Sequence, residues 1–156
     1  MFLVQGDLLN LAKNGEFDVI VHGCNCFNTM GAGIARQIRD QFPEAYAADC
    51  NTLKGDQSKL GHYTTATVGS LTIVNAYTQY CYGQFGKTKD LFEYDAFVYI
   101  LEQLAVEYYD KRFGFPLIGT GLAGGDPVRI LTILENFSEK IANQGGSVTL
   151  VDYYKK

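Results

Sequence analysis

The sequence predicts an α/β fold: a three-layer α/β/α sandwich over a mixed, mostly parallel central sheet. Three observations carry this. Short apolar runs alternate with segments whose apolar residues recur at helical spacing, the pattern of strands joined by crossover helices. Two of the runs, 61–68 and 71–77, are separated by Gly69-Ser70, a two-residue hairpin signal that makes one pairing antiparallel. Two glycine turns, 31–33 and 119–125, each leave a strand and open a helix.

Taken in order, Phe2-Leu3-Val4 is a short first strand, and Gly6-Asp7-Leu8 turns into a brief helix or loop. Asp18 to Val21 gives a second strand, too apolar to face water, followed by a polar turn holding His22 and Asn25. Gly31 to about Phe42 reads as a helix with Ile34, Ile38 and Phe42 on one face, and Pro43 opens a second run through Ala48. From Tyr94, apolar Phe97, Val98, Leu101, Leu104, Ala105 and Tyr108 predict a helix with one buried stripe. Phe113 to Ile118 is a strand ending in the second glycine turn. Asp126 then caps a helix whose first residue is Pro127, where a missing N–H costs nothing; Gly145 ends it, and Val148 to Val151 is the closing strand.

The 156 residues form one expected domain, 1–156, long enough to bury roughly two-thirds of the surface its unfolded form exposes. A hydrophobic content of 47% with 19% charged residues is that of a soluble globular chain. No basic n-region with an apolar h-region opens the sequence and no run approaches a membrane span, so a cytoplasmic protein without a membrane partner is expected. The net charge of −4 and scattered Lys and Arg argue against a duplex nucleic-acid surface. Cys24, Cys26, Cys50 and Cys81 lack zinc-ligand spacing and are expected reduced; neither metal nor cofactor is expected, and a monomer is.

The glycine turns carry the chemistry. Successive main-chain N–H groups with a helix behind them form a concave nest for phosphate oxygens. An ordinary strand-to-helix connection explains 31–33 as well, but four glycines within 119–125 favour a phosphate cradle. Neither turn is a Walker sequence, because no Gly-Lys-Ser/Thr follows.

Five stretches together make the chain resemble a macro domain, the ADP-ribose-binding module. They are Gly6-Asp7-Leu8, His22-Gly23-Cys24-Asn25, Met30-Gly31-Ala32-Gly33-Ile34-Ala35, Val74-Asn75-Ala76, and Ile118-Gly119-Thr120-Gly121-Leu122-Ala123-Gly124-Gly125-Asp126. Within the family it is most similar to the branch of phage, bacterial and fungal proteins that act as ADP-ribose 1''-phosphate phosphatases. The resemblance implies that Asp7 and the Leu8 main chain meet the adenine, with Tyr153 packed on it. It implies that Asn25 holds the distal ribose, and that Gly31, Ala32, Gly33 and Ile34 face Ile118, Gly119, Thr120, Gly121, Leu122 and Ala123 across the diphosphate.

For the proton that hydrolysis must move, His22 is the candidate, since imidazole titrates near neutral pH; its rival role is a core histidine. Asp126 could orient water but also explains itself as a cap, and Asp90 loosely resembles the acid that its segment supplies in the phosphatase branch. Ala123 stands where the branch that removes ADP-ribose from glutamate has an aspartate. The expected ligand is ADP-ribose or its 1''-phosphate, and the expected activity is release of that phosphate. A mono-ADP-ribosyl hydrolase acting on protein or nucleic acid, and a non-catalytic reader, are the alternatives.

Overall fold

The computed structural model describes residues 1–82, 91–119 and 123–153. Its strands are β1 (Phe2–Gln5), β2 (Val19–Cys24), β3 (Tyr63–Val68), β4 (Leu71–Tyr77), β5 (Arg112–Phe115) and β6 (Ser147–Asp152). Its helices are α1 (Leu8–Lys13), α2 (Gly33–Gln41), α3 (Pro43–Cys50), α4 (Tyr94–Glu107) and α5 (Pro127–Asn143). The strands form one six-stranded sheet in the order β1-β6-β5-β2-β4-β3. Every pairing is parallel except β3 with β4, where Gly69 (φ 62°) takes the left-handed turn conformation that the hairpin needs.

Successive side chains on a strand point to opposite faces, and the sequence fills both. Leu9, Ile38, Phe42 and Ala45 from α1, α2 and α3 pack on Ile20, Ile73 and Tyr77. Phe97, Ile100, Leu104, Ile130, Leu134 and Ile141 from α4 and α5 cover the other face over Val19, Val21, Val74, Phe113 and Phe115. Each such side chain contributes roughly 1.5–3 kcal/mol by leaving water. The result is the expected three-layer sandwich with its mixed, mostly parallel sheet.

Several boundaries differ from the sequence expectation, three of them beside the glycine turns. β2 runs on to Cys24 instead of ending at Val21, because Gly23 and Cys24 pair in register with Ala76 and Tyr77 of β4. β5 stops at Phe115, and α2 starts at Gly33. The first of these moves His22 from a turn into the middle of a strand.

Parallel order puts the carboxyl ends of β1, β6, β5, β2 and β4 along one rim of the sheet. Both glycine turns therefore leave the same rim, from the adjacent strands β2 and β5, the location where open α/β sheets hold ligands.

Candidate functional site

A cleft of about 740 Å³ opens at this rim. One wall is Asn25, Thr29, Met30, Gly31, Ala32, Gly33, Ile34 and Ala35; the facing wall is Pro116, Leu117, Ile118, Gly119 and Ala123; Gly23, Cys24, Asp49, Gln79 and Tyr82 complete it. Of the expected ligand-binding residues, Asn25, Gly31, Ala32, Gly33, Ile34, Ile118, Gly119 and Ala123 are thus brought together. Thr120, Gly121, Leu122 and Asp90 lie outside the described residues.

The first wall is fixed by side chains inside its own loop. Asn25 Oδ1 accepts from the Phe27 N–H (2.8 Å) while its Nδ2 donates to Thr29 Oγ1 (2.8 Å), so the side chain braces the turn. Asn28 (φ 58°) and Met30 (φ 40°) both sit in the left-handed region, which is strained for residues other than glycine. The surroundings hold them there: Lys59 Nζ and Thr52 Oγ1 donate to Asn28 Oδ1 at 2.8 and 3.0 Å, and Met30 is buried.

The loop delivers α2 with a bare start. Its N-cap, Ala32, has no side chain able to accept a hydrogen bond, and its first turn holds no acid. The first N–H groups of a helix lack intrahelical acceptors and carry the positive end of its dipole. At α5 the Asp126 carboxylate takes this role by accepting from Val128 N–H (3.0 Å), and at α1 Asp7 accepts from Leu9 and Asn10 N–H (2.9 and 3.2 Å). Only at α2, among these three, does the cleft stand where a cap would be.

Across from it, Gly119 (φ 76°) packs so closely on Phe92 that a Cβ would come within 2.3 Å of the ring. Gly125 N–H donates to Gly119 O (2.8 Å), and Leu91 N–H donates to Ala123 O (2.9 Å), which ties the base of the loop to the start of the α4 segment.

Beneath Asn25 lies a buried polar chain. Asn75 donates its amide hydrogens to Ala45 O (2.9 Å) and Thr64 Oγ1 (3.1 Å), so its oxygen faces His22, whose Nε2–H donates to it at 2.6 Å. Thr64 and Tyr77 hydroxyls meet at 3.0 Å, and Tyr77 OH donates to Asp49 Oδ1 at 2.8 Å. Burial drives the His22 pKa down to about 4, only partly offset by Asn75, so the ring is neutral. Burial likewise holds the Asp49 carboxyl above its ordinary value, against the Tyr77 hydrogen bond and the nearby Lys59 ammonium.

The structure places His22, the expected proton-transfer candidate, away from the cleft. Its ring is fully buried on the α3 face of β2, hydrogen-bonded to Asn75, and it is not among the residues of the cleft. Asp126 is likewise the cap of α5 and does not line the cleft. Asp7, Leu8 and Tyr153 follow β1 and β6 on the same rim beyond the cleft walls, with Leu8 buried and Tyr153 exposed. Among the cleft residues that sequence reasoning did not single out is Asp49. Its signal was a carboxylate four places after Ala45 on the buried stripe of a helix.

All four cysteines are free thiols; Cys24 and Cys26 are buried, which pushes Cys26 up to about 11 and Cys24 well above its ordinary value. Among the described residues no group of three or more His, Cys, Asp or Glu could hold a metal ion, and no helix is long and apolar enough to cross a membrane.

Comparison with known proteins agrees with this architecture. The chain is 33% identical to the uncharacterized 17.5 kDa protein of the tk-vs intergenic region of Enterobacteria phage T4, over 96% of this chain and 94% of that one. A solved structure from Bacteroides thetaiotaomicron superposes with TM-score 0.77 at 22% identity, covering 97% of this chain and 99% of its own. Thermosipho africanus DarTG, solved in complex with ADP-ribose, gives TM-score 0.69 at 14% identity, over 97% of this chain and 42% of that one. The Macro domain model matches residues 21–134, from the middle of β2 through the Gly119 loop and into α5, and the chain belongs to the Macro domain family.

Proposed function

We propose that this protein binds ADP-ribose along the rim and hydrolyses ADP-ribose 1''-phosphate to ADP-ribose and phosphate. The observation that carries the reading is the uncapped α2 N-terminus facing the Gly119 loop across one cleft. The unpaired N–H groups at the start of α2 open on this cleft, and a diphosphate is a group whose charge suits them. The DarTG complex supports the identity of the ligand, since a protein that shares this fold over 42% of its length was solved with ADP-ribose.

In this reading the diphosphate lies between Gly31-Ala32-Gly33-Ile34 and Ile118-Gly119, continued by Thr120, Gly121, Leu122 and Ala123. The adenosine extends over β5 and β6 toward Asp7, Leu8 and Tyr153, and the distal ribose reaches Asn25. Hydrolysis forms a bond from water oxygen to phosphorus and breaks the bond from phosphorus to the anomeric oxygen, which leaves with a proton. Main-chain N–H groups around the phosphoryl oxygens lower the barrier by neutralising their charge. Asp90 remains the acid proposed from its segment, whereas His22 is assigned to the core.

The burial of His22 favours one second reading, a reader that holds ADP-ribose without chemistry. Phosphate release from ADP-ribose 1''-phosphate, measured beside calorimetric titration with ADP-ribose, separates the two. The phosphatase gives turnover with binding; the reader gives binding alone. Release of ADP-ribose from a modified protein or oligonucleotide would instead mark a mono-ADP-ribosyl hydrolase, and the absence of any heat with ADP-ribose would remove every one of these readings.

A further inference from the structure

We propose that Asp49 reads the distal ribose: its Oδ2, buried at the foot of the cleft without a protein partner, accepts a hydrogen bond from a ligand hydroxyl. The inference rests on the ADP-ribose reading and assigns one residue within that site.

Asp49 is 1% exposed and lines the cleft. Its Oδ1 is taken by the Tyr77 hydroxyl, while Oδ2 is buried with no hydrogen-bond partner. Tyr77 ends β4 opposite Cys24, the last residue of β2, and Asn25 follows directly. The carboxyl group therefore stands under the end of the cleft where the distal ribose is proposed.

A structural role accounts for only one of the two oxygens. An asparagine oxygen would accept the Tyr77 hydroxyl equally well and would spare the interior an unpaired carboxylate oxygen, among the costliest groups to bury. Hydrogen-bond direction points the same way. Asn75 donates to Thr64, Thr64 can donate to Tyr77, and Tyr77 donates to Asp49, so a run of dipoles ends on this carboxylate and stabilises its acceptor character. Lys59 supplies a buried positive charge nearby, its Nζ 5.1 Å from the Tyr77 ring centroid. A group prepared in this way, acceptor on both oxygens and satisfied on one, matches a donor that arrives from the cleft. The sugar hydroxyls of the ligand are such donors; the diphosphate has none.

The test compares two ligands on two proteins. ADP shares the adenosine and diphosphate but lacks the distal ribose. In Asp49→Asn, the Tyr77 hydroxyl keeps the amide oxygen on its own side and turns the NH2 group toward the cleft, replacing an acceptor by a donor without changing size. Titration calorimetry should then show ADP-ribose bound about tenfold or more weakly and ADP within about twofold of wild type. Equal losses for both ligands, or none, would overturn the role of Asp49 and leave the proposed function standing. If wild type binds neither ligand, the proposed function fails and this assignment with it. A ligand-side arm needs no variant: 2''-deoxy and 3''-deoxy ADP-ribose are titrated into wild type, where at least one should lose about tenfold, and full affinity for both would also overturn the assignment.

Discussion

The two ends of the working rim satisfy their polar groups in opposite ways. Where β2 and β4 end, a buried set of bonds reaches far along the chain: His22 to Asn75, Asn75 to Ala45, Tyr77 to Asp49, Lys59 to Asn28. Where β1 ends, Asp7 bonds the N–H groups of Leu9 and Asn10, two and three residues on. The first end is buried and cannot change one member without disturbing others; the second is exposed, on an edge strand whose Phe2 and Leu3 face water. Under the proposed layout the locked end meets the variable part of the ligand and the looser end meets the common adenosine. Discrimination needs fixed acceptors, because a mobile one can follow the wrong ligand.

The comparison can be broken most severely at Gly119. Adding a Cβ there meets Phe92 at 2.3 Å in a left-handed backbone, so Gly119→Ala should cost about 4 kcal/mol in urea melts and abolish ADP-ribose binding. Next is His22, whose folded pKa lies near 4 against an ordinary 6.5. The unfolded chain then takes up the proton first, so stability present above pH 6.5 is lost as pH falls toward 4, by about 3 kcal/mol. Wild type minus His22→Gln, compared at pH 7 and pH 4.5, should show that slope; parallel curves would mean that the imidazole is not held neutral.

Asp49→Asn sharpens the comparison in the opposite sense. Removing an unpaired carboxylate should raise stability by about 1 kcal/mol at pH 8, with the gain shrinking in acid where Asp49 itself becomes neutral. A protein that gains stability while losing ADP-ribose affinity would show the residue kept for the ligand. Smallest is the local end: Asp7→Ala removes one cap, costs about 1 kcal/mol or less in thermal melts, and leaves the His22 pH slope unchanged.

The same division explains what could be read from the sequence. Glycine turns, the Asp126-Pro127 helix start and the Gly69-Ser70 hairpin declare themselves through neighbours in sequence, so the layers, the rim and both cleft walls were legible. His22 was misplaced because the end of β2 is set by pairing with Ala76 and Tyr77, not by its own residues. Asp49 was missed because its meaning depends on Tyr77, which approaches it from another layer. Polar residues bonded across the fold carry little local signature, and here they surround the end of the cleft where chemistry is proposed.

Five strands pointing one way also decide how the molecule can be handled. Met1 enters β1 at the margin opposite the loops, while Tyr153 leaves β6 among them. A fluorophore or solid support joined ahead of Met1 is kept roughly a strand's length, about 13 Å, from the ligand. One attached near Tyr153 begins on the rim itself, where under the proposed layout it would obstruct entry of the adenosine.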